Sequence, residues 1–395
     1  MKITGYRSLS TVHDWGRITG DVNGVQTSNF TPVPVLIIET DSGIEGVGLG
    51  AHFDVARVFP AIEGEDPRSV VALYDRMLDW VFKAGHSGAT FGSIGAIDMA
   101  LWDIKAKAAD EPLWRMLGAR ERFVPGYASG LEYGLDDDAL VSLYSDFADR
   151  GFKAGKLKGG RDIDRDLPRL EIMRDGLSRN SRHPAIMFDV NESWNQAQAV
   201  RYVTAIEERL DLTWVEEPLR RWDAAGMAAL RGKIRAAVAS GENLTGLEQF
   251  RPLLDAGALD IVQVGNVWGI THFLRVATLA HGHDLPVSPV AYNANPIAHA
   301  AAAVPNLLSH EVQDLHFPLG LSVDQEFEDG GIVLGDRAGI GIIVDESKLS
   351  AAVPAAPAAS GPHIRPSRAG LRLVAEPDVI DTPLPRTPKT GGDAS

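Results

Sequence analysis

Charged residues at regular intervals between Lys156 and Glu242 constrain the fold of this chain more than any other feature. Lys156 and Lys158 end one short apolar run, and Asp189, Glu216 and Glu242 end the next three. The intervals are close to the roughly 30 residues of one strand–helix unit. Because the carboxyl ends of parallel strands meet at one mouth of a (β/α) barrel, we expect these side chains to converge. Three converging carboxylates repel one another unless a cation lies between them, so the pattern predicts a metal site beside a lysine pair.

Strand-like and helix-like segments alternate from Phe123 to Glu311. This alternation is typical of a parallel sheet, and eight strands without an obvious edge strand favour closure into an α/β barrel. The predicted strands are Phe123–Ser129, Phe152–Lys158, Ala185–Val190, Leu212–Glu216, Ala237–Gly241, Leu259–Val264, Leu285–Ser288 and Leu307–Glu311. The predicted helices between them include Ala139–Arg150, Asp164–Leu177, Gln196–Glu208 and Ala224–Arg231.

The N-terminal part of the chain has a different pattern, in which strands come before helices. Val33–Thr40 and Ile44–Gly50 predict a β-hairpin around an Asp-Ser-Gly turn. A polar loop at about Thr11–Thr31 precedes the hairpin, and helices are predicted from Pro67 and over about Ser93–Ala109. Strands and helices that are segregated in this way indicate a separate α+β unit.

The composition excludes several classes of function. The chain has no cysteine, which excludes disulfides, thiolate catalysis and cysteine-bound metal centres. A formal net charge of −15 argues against nucleic acid or an anionic membrane as a partner. No apolar run reaches the roughly 18 residues of a membrane span, and the N-terminal segment predicts a strand rather than a signal region, so we expect a cytoplasmic protein. The segment 350–395 is rich in Pro, Ala and Ser and is interpreted as a disordered tail.

Four motifs, in this order along the chain, resemble the enolase superfamily in its mandelate racemase/muconate lactonizing enzyme branch. The segment from Ala96 to Lys107 (Ala-Ile-Asp-Met-Ala-Leu-Trp-Asp-Ile-Lys-Ala-Lys) resembles the helix that precedes the family's barrel. The Lys-Leu-Lys triplet resembles its Lys-x-Lys motif on the second barrel strand. The acids at the ends of strands three, four and five match its metal ligands, which are Asp189, Glu216 and Glu242 here.

The resemblance implies a modified (β/α)7β barrel with an α+β capping domain. The capping domain would comprise residues 1–122 and be completed by about 318–349, and residues 123–317 would form the catalytic barrel. Loops around 11–31 and 50–54 would close over the barrel mouth and select the substrate. The family also implies a homo-oligomer.

The implied site suits removal of the proton next to the carboxylate of a small substrate. Mg²⁺ is expected, because it prefers oxygen ligands and keeps open positions for substrate and water. Lys158 is the expected base, since Lys156 and a divalent cation disfavour its charged form, and Lys156 would hold the substrate carboxylate. Alternation along a strand allows only one of Glu216 and Glu217 to face inward, and the family pattern selects Glu216.

Two further polar residues are expected in the same pocket. Asn191 lies two residues after Asp189 and would serve as a hydrogen-bond partner. Glu311 ends strand eight and matches a family acid that supports the substrate carboxylate. The alternative for Glu311 is a solvated loop acid.

The sequence departs from the family where a second proton-transfer group is expected. Family members often have a lysine on strand six, or an Asp on strand six paired with a His on strand seven. Here the corresponding positions are Gly265 and either Val290 or Ala291, and none of these can transfer a proton.

Lys158 itself could return the proton in a syn elimination, or an acid could come from the capping loops. His13 and His52 are the candidates there, with His316 after strand eight a weaker one, because histidine titrates near neutral pH. The alternative for each is an ordinary loop histidine.

A base without a partner favours elimination over racemisation, because racemisation needs a group on each face of the substrate. We therefore expect a Mg²⁺-dependent dehydratase of a sugar acid (aldonate or aldarate) that forms a 2-keto-3-deoxy acid. The first alternative is an isomerase at the same site, either a racemase, an epimerase or a cycloisomerase. The second is a relative that binds metal and carboxylate without turnover.

Overall fold

The N-terminal part of the chain is an antiparallel sheet packed against helices. The computed structural model describes residues 1–83, 85–291, 294–352 and 363. The strands of this part are β1 Ile3–Asp14, β2 Gly20–Asp21, β3 Gly24–Val25, β4 Phe30–Thr40 and β5 Gly46–Leu49. Its helices are α1 Val55–Val58, α2 Val70–Val81, α3 Gly88–Ala108 and α4 Leu113–Met116, with a 3-10 turn at Phe59–Ala61. β4 pairs antiparallel with both β1 and β5.

The central part is a closed barrel of eight parallel strands, of which the first seven are each followed by a helix. The strands are β6 Phe123–Ser129, β7 Ala154–Lys158, β8 Ala185–Asp189, β9 Leu212–Glu216, β10 Ala237–Ser240, β11 Ile261–Gly265, β12 Val287–Val290 and β13 His310–Val312. The helices are α5 Asp137–Asp149, α6 Ile163–Leu177, α7 Gln196–Glu207, α8 Ala224–Arg231, α9 Leu247–Asp255, α10 Ile270–His281 and α11 Ala298–Ala301, with a 3-10 turn at Asn266–Trp268.

Hydrogen bonds close this barrel. Parallel ladders join β6 to β12 in chain order, and β13 pairs with β6. Val287 of β12 bridges Leu307, just before β13, so the last strand also contacts its neighbour on the other side. The predicted (β/α)7β barrel is therefore confirmed.

Apolar side chains fill the barrel interior beneath the charged strand ends. Tyr127, Met187, Trp214 and Ile261 belong to a buried apolar cluster. The ring centre of Tyr127 lies 5.4 Å from Nζ of Lys156. This layer lies between the charged carboxyl ends of the strands and their amino ends.

The segment after the barrel contributes to both parts of the molecule. Its strands are β14 Leu321–Val323, β15 Gln325–Glu328, β16 Gly331–Leu334, β17 Ile342–Val344 and β18 Ser350–Ala351, with a 3-10 turn at Glu346–Lys348. β16 pairs with β6 and β15 pairs with β16, which extends the barrel sheet. β18 pairs with β1 of the capping sheet. The segment 318–349, assigned from sequence to the capping domain, thus also serves the barrel. The predicted tail 350–395 lies outside the described residues except for 350–352 and 363.

The capping sheet extends further than the predicted loop Thr11–Thr31 suggested. β1 continues to Asp14 and β4 begins at Phe30, and these two residues are paired. Polar residues in this stretch favoured a loop, but the pairing depends on a partner strand that local polarity does not show. Between the two strands, the backbone N–H of Gly20 donates a hydrogen bond at 2.8 Å to the carbonyl oxygen of Leu131 after β6. The remaining loop therefore reaches the barrel mouth.

Helix α3 joins the capping sheet to the barrel through two buried aspartates. Asp98 accepts hydrogen bonds from the backbone N–H of Thr271 at 2.7 Å and from its hydroxyl at 2.5 Å. This contact lies at the N-terminus of α10, where the helix dipole favours a carboxylate. Asp103 accepts hydrogen bonds from the backbone N–H groups of Val47 at 2.9 Å and Ile340 at 2.8 Å. The two acids of the family-like helix motif are therefore structural.

Two glycines allow the backbone on either side of α3 to approach closely. A Cβ atom at Gly48 of β5 would lie 1.9 Å from the carbonyl oxygen of Ala96, and one at Gly95 would lie 2.4 Å from that of Val267. Both neighbours are backbone atoms, so a larger residue would force the elements apart. Helix α3 has 21 residues and is buried along most of its length. No helix in the described ranges is long and apolar enough to cross a membrane.

Replacing Thr271 by Val should destabilise the protein. The Thr271 hydroxyl donates to Asp98 and accepts a hydrogen bond from Nε1 of Trp102 at 2.9 Å, so valine leaves two buried polar groups without this partner. An unsatisfied buried group costs about 1–3 kcal/mol. Urea unfolding should show this loss for T271V and a clearly smaller loss for T271S, which keeps the hydroxyl. Equal losses would contradict the role of this hydrogen-bond pair.

Candidate active site

Charged side chains gather at the carboxyl ends of neighbouring barrel strands. Lys156 and Lys158 lie at the end of β7, Asp189 ends β8 and Glu216 ends β9. Glu242 lies two residues after β10, and all five residues are buried. Asp189 and Glu216 are direct partners in the parallel ladder. The structure therefore brings together the five residues that the sequence pattern singled out.

Both lysines are paired with carboxylates. Nζ of Lys156 lies 2.5 Å from Oε1 of Glu216 and 2.7 Å from Oε1 of Glu311. It also lies 3.5 Å from Oδ2 of Asp189. Nζ of Lys158 contacts the same oxygen of Asp189. Salt screens buried ion pairs much less than exposed ones. These contacts therefore stay strong in salt and hold both ammonium groups in place.

Four carboxyl groups, those of Asp189, Glu216, Glu242 and Glu311, surround the two ammonium groups of this cluster. Burial, followed by the charge of Asp189, raises the pKa of Glu216 to about 8. Burial also raises the pKa of Glu242 to about 7, although Lys158 acts in the opposite direction. Burial is the largest cause of both shifts, so a cation between these carboxyl groups would favour their ionised form.

The ion pair of Asp189 with Lys158 affects the pKa of both groups. Burial alone would raise the pKa of Asp189, but Lys158 and Lys156 lower it to about 2. Burial and Lys156 would lower the pKa of Lys158, but attraction to Asp189 outweighs them, so this pKa is raised. The expectation that Lys156 and a divalent cation favour neutral Lys158 concerns the metal-bound site and stays a prediction.

The oxygen donors of the cluster suit a hard divalent cation. Asp189, Glu216 and Glu242 offer carboxylate oxygens, and Oδ1 of Asn191 is buried without a hydrogen-bond partner in the described ranges. Mg²⁺ prefers such all-oxygen sites. As they stand, no three His, Cys, Asp or Glu side chains in the described part of the chain are spaced to hold an ion. One oxygen of Asp189 and one of Glu216 are instead bonded to the lysines.

Glu216 faces the lysine pair, and Glu217 does not. Oε2 of Glu216 accepts hydrogen bonds from Nε2 of Gln263 at 2.6 Å and from Nε1 of Trp214 at 3.1 Å. Glu217 has a φ of 44° and accepts a hydrogen bond from Nδ2 of Asn243 at 3.0 Å. The inward direction of Glu216 agrees with the residue that the family pattern selected.

Three residues that hold the cluster in place were not identified from the sequence. Gln263 is the only polar residue in the apolar strand Ile-Val-Gln-Val, and this signal could have revealed it. Buried Glu132, in the loop after β6, accepts a hydrogen bond from the backbone N–H of Lys158 at 2.6 Å. The hydroxyl of Tyr144 donates to the carbonyl oxygen of Lys156 at 2.7 Å. Glu132 and Tyr144 have no distinguishing pattern, because one is a single loop acid and the other has the spacing of a core helix residue.

Glu311 and Asn191 also reach the cluster. Oε2 of Glu311 accepts hydrogen bonds from Nε2 of Gln313 and from the backbone N–H of Ala291, each at 3.0 Å. Glu311 is fully buried, which rules out the alternative of a solvated loop acid. The backbone N–H of Asn191 donates to Oδ1 of Asp189 at 2.9 Å. Both residues therefore lie where the sequence analysis expected them.

The ends of strands β11 and β12 provide no proton-transfer side chain at the positions identified from sequence. β11 ends at Gly265, and β12 ends at Val290 with Ala291 following. A Cβ atom at Gly265 would lie 2.5 Å from the carbonyl oxygen of Glu242. Close backbone packing therefore leaves no room at Gly265 for the lysine or aspartate that relatives often have there.

The two candidate histidines have different surroundings. Nε2 of His52 lies 2.7 Å from Oγ of Ser8 and its Nδ1 lies 2.8 Å from the carbonyl oxygen of Gly50. Burial lowers the pKa of His52. Both of its ring nitrogens have partners within the capping unit, so neither is available to a substrate. His13 belongs to β1 rather than to a loop, and its Nε2 lies 2.8 Å from Oδ2 of Asp314.

Comparison with known families identifies the two parts of the chain. Residues 21–118 match the mandelate racemase/muconate lactonizing enzyme N-terminal domain, and residues 139–348 match the enolase C-terminal domain-like family. The chain belongs to the mandelate racemase/muconate lactonizing enzyme branch of the enolase superfamily. The family resemblance inferred from the four motifs is therefore confirmed.

Relatives in this branch include lyases and isomerases. A 3,6-anhydro-alpha-L-galactonate cycloisomerase from Streptomyces coelicolor is 30% identical over 84% of this chain and 94% of its own length. An L-talarate/galactarate dehydratase from Salmonella typhimurium is 31% identical over 80% of this chain and 82% of its own length. These relatives of the chain are enzymes.

Solved structures of relatives share the same architecture. A racemase from Streptomyces coelicolor with bound magnesium matches with a TM-score of 0.79 and 28% identity, covering 88% of this chain and 98% of the racemase. An L-talarate dehydratase from Polaromonas sp., complexed with Mg and L-glucarate, matches with a TM-score of 0.76 and 29% identity, covering 88% of this chain and 97% of the dehydratase.

Replacing Lys156 by Met should strongly destabilise the protein. Lys156 is buried between Glu216 and Glu311, and breaking a buried ion pair costs about 3–5 kcal/mol. Lys153 lies just before β7 and is exposed, so K153M is a matched control that should change the free energy of unfolding by less than about 0.5 kcal/mol. Urea unfolding at pH 7 measures both, and unchanged stability of K156M would contradict the ion-pair network.

Proposed function

We propose that this protein is a Mg²⁺-dependent enzyme that removes the α-proton of a sugar acid and dehydrates the acid. The observation that supports this most directly is the buried contact of Lys158 with Asp189, beside Glu216 and Glu242. This contact puts a base next to a set of oxygen donors at the barrel mouth. Similarity to the talarate/galactarate dehydratase, and to the dehydratase complexed with Mg and L-glucarate, supports the substrate class.

Asp189, Glu216 and Glu242 would hold Mg²⁺, with Asn191 beside them. The bound ion would stabilise the negative charge that develops on the substrate carboxylate and would compete with Lys158 for Asp189. Four buried carboxyl groups face two ammonium groups in the cluster, and a divalent cation would favour the ionised form of Glu216 and Glu242.

The two lysines would have different protonation states and roles. Once Asp189, Glu216 and Glu242, which raise the pKa of Lys158, are engaged as metal ligands, burial and the charge of Lys156 would favour its neutral amine. It would then accept the α-proton. Lys156 keeps its charge, because the attraction of Glu216 and Glu311 outweighs burial and raises its pKa. Lys156 would bind the substrate carboxylate.

Dehydration follows from proton removal without a second base. The electron pair of the broken C2–H bond forms a double bond to C3, and the C3 hydroxyl takes a proton and leaves as water. The proton would come from Lys158 in a syn elimination or from an acid of the capping unit. The enol that remains rearranges to a 2-keto-3-deoxy acid. Because Gly265 and Val290 end the strands where a second base is expected, the site suits this reaction better than racemisation.

An isomerase reaction at the same site is the second candidate. The cycloisomerase from Streptomyces coelicolor, 30% identical over 94% of its length, supports it. Both reactions would begin with the same proton transfer to Lys158 and differ in the fate of the intermediate. We further propose a homo-oligomeric assembly, which rests on the family resemblance.

Incubation with Mg²⁺ and sugar acids in D₂O tests the proposed function. The panel contains galactarate, L-talarate, L-glucarate, arabinonate and galactonate. A dehydratase should form a 2-keto-3-deoxy acid, detected by NMR and by semicarbazone absorbance. An isomerase should instead give a product of unchanged formula with deuterium at C2. Binding of an acid without exchange or product would support the non-catalytic alternative and contradict the proposal.

Replacing Lys158 by Gln should remove the base and keep the metal site. The rate should fall by about 10²–10⁴-fold, the usual contribution of a general base, while Mg²⁺ still binds. The exposed variant K153Q is the matched control and should have wild-type activity. Full activity of K158Q would show that another residue takes the proton.

Removing a metal ligand should weaken Mg²⁺ binding in the absence of substrate. D189N, E216Q and E242Q should each raise the Kd measured by isothermal titration calorimetry at least about tenfold, because each loses an anionic ligand. E208Q is the matched control, since Glu208 is exposed just after α7, and its Kd should stay close to that of the wild type. Wild-type affinity in all three ligand variants would contradict the assigned site.

A further inference from the structure

We propose that His13 and Asp314 form a catalytic dyad in which His13 protonates the hydroxyl group that leaves the substrate. The inference rests on the proposed dehydratase function and supplies the acid for the reaction that Lys158 begins. The two residues come from different parts of the fold, because His13 lies on β1 of the capping sheet and Asp314 follows β13 of the barrel.

The contact between the two residues is buried and leaves one ring nitrogen free. Nε2 of His13 lies 2.8 Å from Oδ2 of Asp314, and the two side chains are only 4% and 8% exposed. The ring centre of Trp15 lies 4.4 Å from that of the imidazole and restricts its orientation. Nδ1 of His13 is buried without a hydrogen-bond partner in the described ranges. Buried polar atoms are rarely left unpaired, so this nitrogen is a position for a ligand hydroxyl.

The dyad borders the barrel mouth at the end of strand seven. His13 lines a cavity of about 20 Å³ together with Ala291, Gln313 and Asp314. Ala291 directly follows β12, the strand end where the family resemblance places a histidine. Gln313 donates a hydrogen bond to Glu311, the carboxylate that pairs with the substrate-binding lysine. A cavity of this size can hold one water molecule, which is the product that the acid releases.

Charged neighbours keep Asp314 ionised beside the imidazole. Burial would raise the pKa of Asp314, but the hydrogen bond with His13 and the charge of Arg17 lower it. Nη1 of Arg17 lies 3.7 Å from Oδ2 of Asp314, and Nδ1 of the exposed His316 lies 3.3 Å from Oδ1. An ionised carboxylate at Nε2 stabilises the imidazolium and holds its orientation, so Asp314 is a positioning residue.

The proton balance of the elimination uses both groups. Neutral Lys158 takes the proton from C2, and the electron pair of that bond moves onto the substrate carboxylate to give an enolate. The electron pair then returns to form the double bond between C2 and C3 as the C3–O bond breaks with its electrons on oxygen. That oxygen takes the proton from Nδ1 of the His13 imidazolium and leaves as water. Lys158 ends with one more proton and His13 with one fewer, and exchange with solvent restores both.

The variant H13N separates proton abstraction from departure of the hydroxyl. With an acid that the wild type dehydrates, H13N should lose dehydration by about 10²–10⁴-fold. It should still exchange the C2 proton in D₂O, because that step needs only Lys158. An analogue with fluorine in place of the C3 hydroxyl should restore elimination in H13N, since fluoride leaves without a proton. Fluoride release is read with an ion-selective electrode, and K158Q should eliminate neither substrate.

Two further variants distinguish chemistry from structure. H283N replaces an exposed histidine that follows α10, and it should keep wild-type dehydration. D314N should lose dehydration of the C3-hydroxy acid and keep fluoride release from the fluorinated analogue, because the positioned imidazole is needed only where the leaving group takes a proton. A purely structural role would lower both rates together. Urea unfolding confirms that each variant is folded.

The outcomes separate failure of the dyad from failure of the proposed function. Full dehydration by folded H13N would overturn the dyad and leave the role of Lys158 intact. Loss of both exchange and dehydration without rescue by the fluorinated analogue would also overturn it. Absence of exchange by the wild type with every acid would overturn the proposed function, and the dyad with it.

Discussion

Two lysines and four carboxylates are buried together at the ends of adjacent parallel strands, and this burial of charge constrains the rest of the barrel. A buried charge is tolerated only when it is paired, so β7, β8 and β9 must keep the register that aligns Lys158 with Asp189 and Asp189 with Glu216. A shift by one residue would turn these side chains to the opposite face. The apolar layer beneath them imposes the same register. Ion pairing and apolar packing therefore fix the same strand alignment.

The electrostatics of the cluster depend on which partner each lysine has. Repulsion between the two ammonium groups would favour the neutral form of Lys158, but the contact with Asp189 has the larger effect on its pKa. The basicity of this lysine is thus set by competition for one carboxylate. In such a site the lysine is protonated while it pairs with the carboxylate and can become neutral when the carboxylate has another partner. This change does not require movement of the backbone.

Local periodicity predicted the barrel, because apolar runs and helical spacing are properties of neighbouring residues. β9 and α8 begin and end where the sequence indicated, and the charged strand ends follow from the same pattern. Long-range partners could not be predicted in this way. His13 and Asp314 are 301 positions apart, the pairing of β16 with β6 joins distant segments, and Glu132 is a single acid in a loop. Each depends on a three-dimensional neighbour that residue spacing does not encode.

Helix α3 determines how substrate can reach the barrel. Asp98 and Asp103 join it to α10 and β5, and the close approaches at Gly48 and Gly95 leave no space for sliding. Movement of the whole capping unit away from the barrel would expose two buried carboxylates. Substrate access must therefore depend on the short loops that α3 does not contact. Engineering of specificity should therefore exchange residues 18–29 and keep α3, because a transplanted capping domain would also have to reproduce both aspartate contacts.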